Sequence, residues 1–289
     1  MTGRNAPELT FWPGSMASRG FIAVLDAARS GKFPATALSP LTLHELLVSG
    51  HDWQWIRAEA EARGVRPAHL DGAASWAPIP YADDLPAPLK QRFDFTDTEV
   101  LDLAEAAGMD SVLACGAFAA DTVPMDELVT SYAAFCRMAE DGGLRVELEF
   151  VPFWGIRDLA TAWEIVQRAD RPNGTLMVDT WHLLRASDEP QAALDLLSDI
   201  PKEKMTGLQL ADASLSPQSG TLFGEGRFRR FPGDGELDLD TVIRPLLDKG
   251  GLLTVGVEVF GDAIDALTTQ DAGVRAAETV QTALARATR

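Results

Sequence analysis

The sequence is short of cysteine, histidine and positive charge, and it has no long apolar run. Its 289 residues include two cysteines and four histidines, and 43 Asp and Glu residues outnumber 25 Lys and Arg residues, for a net charge of −18. The two cysteines, Cys115 and Cys136, exclude a disulfide-rich framework, and we expect buried free thiols. No apolar stretch approaches the roughly 20 residues that a membrane span needs.

The acidic balance also narrows the class of partner. A strongly negative chain repels nucleic acid and anionic membranes, so we expect neither as a partner. A small-molecule substrate remains compatible with this charge, because a bound ion and local arginines dominate inside a pocket. The N-terminal residues show no apolar signal region, which predicts a cytoplasmic protein. A homo-oligomer is compatible with the sequence.

Short apolar runs alternate with helical patterns along the chain. The predicted strands span residues 8–12, 35–39, 67–70, 111–115, 145–150, 175–179, 206–210 and 253–259. The predicted helices span 17–30, 42–47, 53–63, 97–107, 125–140, 156–168, 189–197, 239–247 and 272–287. The Pro-rich stretch 73–95 is predicted to lack regular structure.

This alternation predicts a fold. Strict strand–helix alternation implies a parallel sheet, and eight units favour a closed (β/α)8 TIM barrel, with residues 1–289 as a single α/β domain. No Gly-x-Gly-x-x-Gly motif follows the first predicted strand, so a dinucleotide-binding fold is disfavoured.

Polar side chains end the last four predicted strands. Glu149 to Asp179 and Asp179 to Gln209 are 30 residues apart, and Gln209 to Glu258 is 49. One strand–helix unit takes about 30 residues, and the Gly-rich segment 214–235 takes up the excess. A buried carboxylate is costly unless it is paired or binds a cation. We therefore expect these four residues to bind one divalent ion, Mn, Mg or Co, which favour oxygen ligands.

Carboxylates at strand ends also have simpler explanations. Glu149 and Glu258 would otherwise cap helices or pair with arginine. Glu147 shares a face of its strand with Glu149, so it would lie deeper in the barrel or pair with a neighbour. Glu149 is the preferred ligand because it is nearer the C-terminal strand end, where barrels carry their chemistry.

Further candidates lie near these strand ends. His182 follows Asp179 by three residues, which suits a group that orients a ligand or carries a proton. Arg230, among three arginines after the seventh predicted strand, would hold a substrate oxygen, unless this segment is only a solvated basic turn. His69 and Trp181 would contact substrate or pack in the core. The aromatic residues of 76–93, with Trp12, Trp154 and Trp181, would form an apolar wall or lid, or pack between the barrel and its helices.

The same residues carry a resemblance to a known family. The chain resembles xylose-isomerase-like barrels in Glu149, Asp-Thr-Trp-His at 179–182, Gln209 with Asp212, Arg-Phe-Pro-Gly-Asp-Gly at 230–235 and Val-Glu-Val-Phe at 257–260. That superfamily contains sugar isomerases, epimerases and dehydratases. The resemblance implies one divalent metal bound by a Glu, an Asp, a His and a second Glu. Gln209 stands at the His position, and it resembles the bacterial 3-dehydroshikimate dehydratase branch, in which an amide oxygen is the ligand.

We therefore expect an isomerase, epimerase or dehydratase that removes a proton α to a carbonyl of a small keto-sugar, cyclitol or cyclic hydroxy-ketone, with the balance slightly towards dehydration. The metal would stabilise the developing enolate, and Glu149, Glu258 and His182 would carry protons. Two other classes stay open. One is a phosphodiester hydrolase like the abasic-site endonucleases. Those enzymes use several more histidine ligands for zinc and bind DNA, so the four histidines and the negative charge of this chain disfavour this class. A non-catalytic barrel that only binds ligands would not need a complete ligand set.

Overall fold

Each predicted apolar run forms a strand in the computed structural model, which describes residues 6–187 and 189–289. The strands follow one another in chain order around a closed barrel, and the strand pairs with a defined register are parallel. The predicted (β/α)8 barrel is therefore confirmed. Residues 1–5, on which part of the signal-segment prediction rests, lie outside the described residues.

The observed strand bounds differ little from the predicted ones. The strands are β1 (Glu8–Trp12), β2 (Ala35–Leu38), β3 (Arg66–Ala73), β4 (Ser111–Cys115), β5 (Arg145–Glu149), β6 (Gly174–Asp179), β7 (Met205–Leu210) and β8 (Thr254–Glu258). β2 stops before Ser39 because that side chain caps the next helix, where its Oγ accepts the Thr42 N–H at 3.1 Å. β3 continues to Ala73, past the predicted end at Leu70.

Helices follow the strands as the alternation requires. The α-helices of the described residues are α1 (Phe21–Ser30), α2 (Pro40–Val48), α3 (Trp53–Arg63), α4 (Ala87–Phe93), α5 (Asp97–Ala107), α6 (Met125–Asp141), α7 (Leu159–Ala169), α8 (Thr180–Leu184), α9 (Pro190–Asp199), α10 (Leu222–Glu225), α11 (Asp240–Lys249), α12 (Asp262–Asp265) and α13 (Thr269–Ala287). Within these described segments, no helix is both long and apolar enough to cross a membrane.

Two predicted helices begin later than expected. The segment 17–30 divides into a 3-10 turn, Gly14–Arg19, and α1, and Gly20 separates them with a φ of 87°. Glycine adopts this conformation without the strain that a Cβ would bring. The segment 156–168 becomes α7 only from Leu159, because Asp158 Oδ1 accepts the Thr161 N–H at 2.7 Å and caps the helix there.

The prediction that residues 73–95 lack regular structure is wrong in its last part, where α4 forms. Pro86 is the N-cap of α4 and Pro88 lies in its first turn. Proline is tolerated at these positions because the first N–H groups of a helix have no intrahelical partner. The two prolines therefore mark where a helix begins.

The chain divides into two units by the density of its internal contacts. The first comprises residues 1–36, 63–65 and 178–289, and within it β1 and β7 both pair with β8. Trp12 lies opposite Glu258, and Gln209 lies opposite Gly256. Helices α1 and α13 pack so closely that a Cβ added at Gly273 would lie 1.8 Å from the carbonyl oxygen of Ala27. The first unit thus carries Asp179, Gln209 and Glu258 on strands.

The second unit comprises residues 37–62 and 66–177. Its β4 and β5 place Cys115 opposite Glu149, and β6 places Met177 on the other side of Glu149. Most of the aromatic residues of the Pro-rich stretch pack rather than form a free wall. The buried cluster contains Ala74, Leu85, Phe93, Cys115 and Ala117, with Tyr81, Leu89 and Trp154 against it. Both cysteines are buried free thiols, as predicted.

Candidate active site

Asp179 ends β6 and begins α8. Its Oδ1 accepts the backbone N–H of His182 at 2.9 Å, which caps the short helix. Asp179 and Trp181 are fully buried, and His182 is 3% exposed. The two carboxylate oxygens of Asp179 therefore have different partners. Oδ1 accepts a backbone hydrogen bond, and Oδ2 contacts a side chain.

That contact is with Arg229. Its Nη1 donates to Asp179 Oδ2 at 2.8 Å and to Glu258 Oε2 at 3.2 Å, so one guanidinium joins the ends of β6 and β8. Its Nη2 lies 3.1 Å from His182 Nε2. Arg229 is only 3% exposed, so these ion pairs are buried. Removing one partner of a buried pair leaves an uncompensated charge, which is strongly destabilising.

Two aromatic rings flank the same guanidinium. The Arg229 Cζ lies 4.8 Å from the centre of the Trp181 ring and 5.0 Å from that of Phe260. Cations are attracted to aromatic faces at such distances. Trp181 therefore supports Arg229 from the first turn of α8, and its predicted contact with substrate stays a prediction.

The environment of His182 keeps its ring neutral. Burial lowers the pKa of His182 to about 3, the Asp179 charge opposes this shift, and the Arg229 charge adds to it. Because a guanidinium has donors only, His182 Nε2 must accept the Arg229 bond, so the ring proton is on Nδ1. A neutral imidazole in this tautomer suits donation of a hydrogen bond rather than storage of a proton.

Gln209, near the C-terminal end of β7, is a buried amide without a side-chain partner. It is fully buried, and neither its Oε1 nor its Nε2 makes a hydrogen bond among the described residues. A buried polar group left unsatisfied costs about 1–3 kcal/mol. The amide oxygen is therefore suited to a ligand that the protein itself does not supply, and a cation is the natural partner of an acceptor.

Glu258 and Glu149 end their strands as predicted. Glu258 is the last residue of β8 and Glu149 the last of β5, and they are 6% and 7% exposed. The residue paired with Glu149 on β6 is Met177, two positions before Asp179. The oxygen donors expected of a hard or borderline divalent cation are thus all buried at the C-terminal ends of β5 to β8.

His69 lies in the middle of β3, because this strand is longer than predicted. Its Nδ1 is 2.7 Å from Ser111 Oγ and 3.5 Å from Glu147 Oε2, and Ser111 Oγ donates to the same Glu147 oxygen at 2.6 Å. Burial raises the pKa of Glu147, but His69, Arg145 and Ser111 together outweigh this and lower it to about 2. The expectation that Glu147 pairs with a neighbour is confirmed. The predicted substrate contact of His69 stays a prediction.

Arg230 lies beside the site rather than in the network around Asp179. Its backbone forms a two-way bridge with Asp212, and its Nη1 donates to the carbonyl oxygen of Asp234 at 3.2 Å. Sequence reasoning preferred Arg230 and overlooked Arg229. Adjacent residues in extended backbone point to opposite sides, so knowing which of the two faces inward requires the Asp212–Arg230 register, which the sequence does not display.

This fold and this arrangement of side chains agree with a comparison to known families. The chain matches the family of xylose isomerase-like TIM barrels over residues 28–283, and it belongs to that family.

Two curated relatives are named for reactions of small molecules. The chain is 33% identical over 172 residues to a 3-dehydroshikimate dehydratase of Pseudomonas aeruginosa, which is 58% of this chain but 26% of the dehydratase. It is 29% identical over 137 residues to the inosose isomerase of Bacillus subtilis, 47% of each chain. The chain therefore spans about a quarter of the dehydratase that it matches. Its relatives are enzymes, a dehydratase and an isomerase.

A solved structure shows the same fold. An IOLI protein with a bound zinc atom superposes with a TM-score of 0.77 at 19% identity, over 96% of this chain and 98% of the other. At this identity the likeness concerns the fold alone.

Proposed function

We propose that this protein is a metal-dependent lyase that dehydrates a small cyclic hydroxy-ketone of the 3-dehydroshikimate type. The observation that carries the proposal is Gln209, a fully buried amide without a side-chain hydrogen bond among the described residues, on the strand between those of Asp179 and Glu258. An amide at this position is the feature in which the sequence resembles the dehydratase branch of the family.

The proposed metal ligands are Glu149, Asp179, Gln209 and Glu258. Three of them, Asp179, Gln209 and Glu258, are buried at or next to the C-terminal ends of β6, β7 and β8, which supports a cation at this end of the strands. The zinc atom bound to the IOLI protein supports a divalent ion on this fold. When bound, such an ion would polarise a substrate carbonyl and so acidify the neighbouring C–H bond.

The protein's own groups would move the protons. Glu149 or Glu258 would remove the proton next to the carbonyl as a base, and the carboxylic acid so formed would return that proton to the departing β-hydroxyl, which leaves as water. His182 is neutral and would donate a hydrogen bond to the leaving hydroxyl or to another oxygen substituent of the ring. This division of roles follows from the low pKa of His182, which makes the ring a weak base.

Arg229 would orient an anionic group of the substrate. Its planar fork is suited to a carboxylate, and its contacts with the Trp181 and Phe260 rings, 4.8 Å and 5.0 Å from Cζ to the ring centres, support the guanidinium. A carboxylated ring such as 3-dehydroshikimate supplies a partner for this fork. Arg230, the arginine preferred from sequence, would act from the rim.

Isomerisation is the second candidate, favoured by the likeness to inosose isomerase. Both reactions begin with removal of the proton next to the carbonyl, and they differ in the fate of the carbanion. Reprotonation at another position gives an isomer, whereas loss of the β-hydroxyl gives a dehydrated product.

One experiment separates these reactions. Protein loaded with Mn²⁺ is incubated in heavy water with 3-dehydroshikimate, inosose and a panel of keto-sugars. A dehydratase converts 3-dehydroshikimate to an aromatic dihydroxybenzoate, which new ultraviolet absorbance reports. An isomerase instead places deuterium on carbon without new absorbance. Neither change with any substrate in the panel would contradict the proposed function.

A further inference from the structure

We infer that Asp212 is a positioning residue that sets the orientation of Arg229. The inference rests on the proposed function, because it assigns Asp212 a role in the site through the guanidinium that would hold the substrate. Asp212 lies two residues after the end of β7 and is 2% exposed. It does not belong to the proposed metal ligands.

The Asp212 carboxylate accepts hydrogen bonds from backbone N–H groups at both ends of a long loop. This loop, residues 213–237, is called the excursion. Its Oδ1 accepts from Ala213 N at 2.8 Å and from Leu237 N at 3.0 Å. Its Oδ2 accepts from Gly233 N at 3.0 Å. Hydrogen bonds from N–H groups to a carboxylate are stronger than neutral ones, and they offset the cost of burying the charge. One side chain thus closes the excursion that begins after Asp212 and returns at Leu237.

The backbone of Asp212 fixes the point of return as well. The Asp212 N–H donates to the Arg230 carbonyl oxygen at 2.8 Å, and the Arg230 N–H donates to the Asp212 carbonyl oxygen at 2.7 Å. Arg229 is the residue immediately before this bridge. Because neighbours in extended backbone point to opposite sides, bridging Arg230 directs the side chain of Arg229 towards Asp179 and Glu258.

The fit around the carboxylate is tight. A Cβ added at Gly235 would lie 2.2 Å from Asp212 Oδ1 and 2.5 Å from the Ala213 carbonyl oxygen. The far part of the excursion has its own anchor. Glu225 is buried and accepts from Arg185 Nη2 at 3.0 Å and from Gln218 N at 2.6 Å. Asp212 is the anchor whose backbone bonds to Arg230, the residue next to Arg229.

Positioning of this kind affects rate through geometry. Arginine has a long flexible side chain whose ordering costs about 2 kcal/mol of rotamer entropy. A fixed backbone at Arg229, with its guanidinium in contact with two aromatic rings, places the fork before substrate arrives. If the backbone shifts, the guanidinium loses either the substrate or its bonds to Asp179 and Glu258.

The test is a double-mutant cycle on kcat/KM with the substrate found by the panel described above. The variants are Asp212→Asn, Arg229→Gln and the two combined. Asp212→Asn keeps the shape but turns one oxygen into a donor that opposes an N–H group. We expect kcat/KM to fall about 100-fold, the loss that a displacement of about 1 Å causes. In the Arg229→Gln background, Asp212→Asn should change kcat/KM by less than about twofold.

Glu236→Gln is the matched control. Glu236 is an exposed carboxylate of the same excursion that accepts from Ser214 Oγ and Leu215 N, and its replacement should leave kcat/KM unchanged. Gly235→Ala is a second variant, which displaces the Asp212 carboxylate without removing it, and it should behave like Asp212→Asn. Equal losses from Asp212→Asn in both Arg229 backgrounds would overturn the inference, since they would indicate a general structural role.

A measurement that needs no substrate separates this inference from the proposed function. Hydrogen exchange over residues 226–232 should accelerate in Asp212→Asn and in Gly235→Ala but not in Glu236→Gln. If wild-type protein converts nothing in the panel, the proposed function fails, and this exchange alone decides the inference. Unchanged exchange over 226–232 in Asp212→Asn contradicts it.

Discussion

The guanidinium of Arg229 donates to the carboxylate of Asp179 at 2.8 Å, and both side chains are almost wholly buried. Replacing Arg229 by Gln should lower the free energy of unfolding by about 3–5 kcal/mol, because Asp179 and Glu258 would lose a buried cation. Chemical denaturation measures this loss. Mn²⁺ should restore part of the stability, because it binds the folded state.

The matched control for this prediction is Arg227→Gln. Arg227 lies on the same excursion, and its side chain is exposed, so its replacement should change stability by less than about 0.5 kcal/mol. Equal effects of the two substitutions would show that the buried ion pairs of Arg229 contribute nothing.

His182 is expected to act in the chemistry rather than in folding. His182→Ala should lower kcat by roughly 10²–10³-fold, the loss that follows removal of one positioned hydrogen-bond donor. The metal content, measured by elemental analysis, should stay unchanged because His182 is not a proposed ligand. Full activity in this variant would contradict a contact with the substrate and reduce His182 to a support for Arg229.

The network of His69, Ser111 and Glu147 is expected to act in stability. His69→Ala removes a partner of a fully buried carboxylate, so we expect a loss of about 3–5 kcal/mol in the free energy of unfolding. Urea denaturation measures it, and His44→Ala, at an exposed position, is the control. A loss in kcat/KM without a loss of stability would favour the substrate contact predicted from sequence.

The two tyrosines should titrate differently. Burial raises the pKa of Tyr132 well above its ordinary value, with Cys136 adding to the shift, and its hydroxyl donates to the Val146 carbonyl oxygen at 2.8 Å. The Asp94 charge raises the pKa of Tyr81. A raised pKa in the folded state means that the contribution of Tyr132 to stability is complete below the unfolded pKa of about 10 and is lost as pH rises above it.

Absorbance at alkaline pH checks this. Tyr81 should ionise reversibly in the folded protein, and Tyr132 only together with unfolding. The second step should disappear in Tyr132→Phe. Ionisation of both phenols before any loss of circular dichroism would contradict the prediction.

The barrel could be predicted from sequence because each strand is a short apolar run with one helical pattern behind it. The bounds of β1 and β4 coincide with the prediction, since polar or turn residues flank both runs. The missed helix α4 shows the limit of counting prolines. Pro86 and Pro88 break a helix in its interior but are compatible with its beginning, and only the position along the helix decides between the two.

The site was predictable in its strand-end residues and not in its arginine. Glu149, Asp179, Gln209 and Glu258 stand out because polar residues in buried runs need a partner. Arg229 has no such mark, since Arg230 beside it is chemically the same. The choice between them depends on a bridge between Asp212 and Arg230, two residues 18 positions apart in the chain, and local sequence carries no record of that pairing.

The central claim is that Gln209 and three buried carboxylates hold a divalent ion that the dehydration needs. The most direct measurement is turnover of 3-dehydroshikimate by protein stripped with a chelator, followed by ultraviolet absorbance as Mn²⁺ is titrated in. The account predicts no product from stripped protein, and activity that rises to saturation at one ion per chain in wild type but not in Glu258→Gln. Full activity in stripped protein, or none with Mn²⁺, Mg²⁺ or Co²⁺, would contradict it.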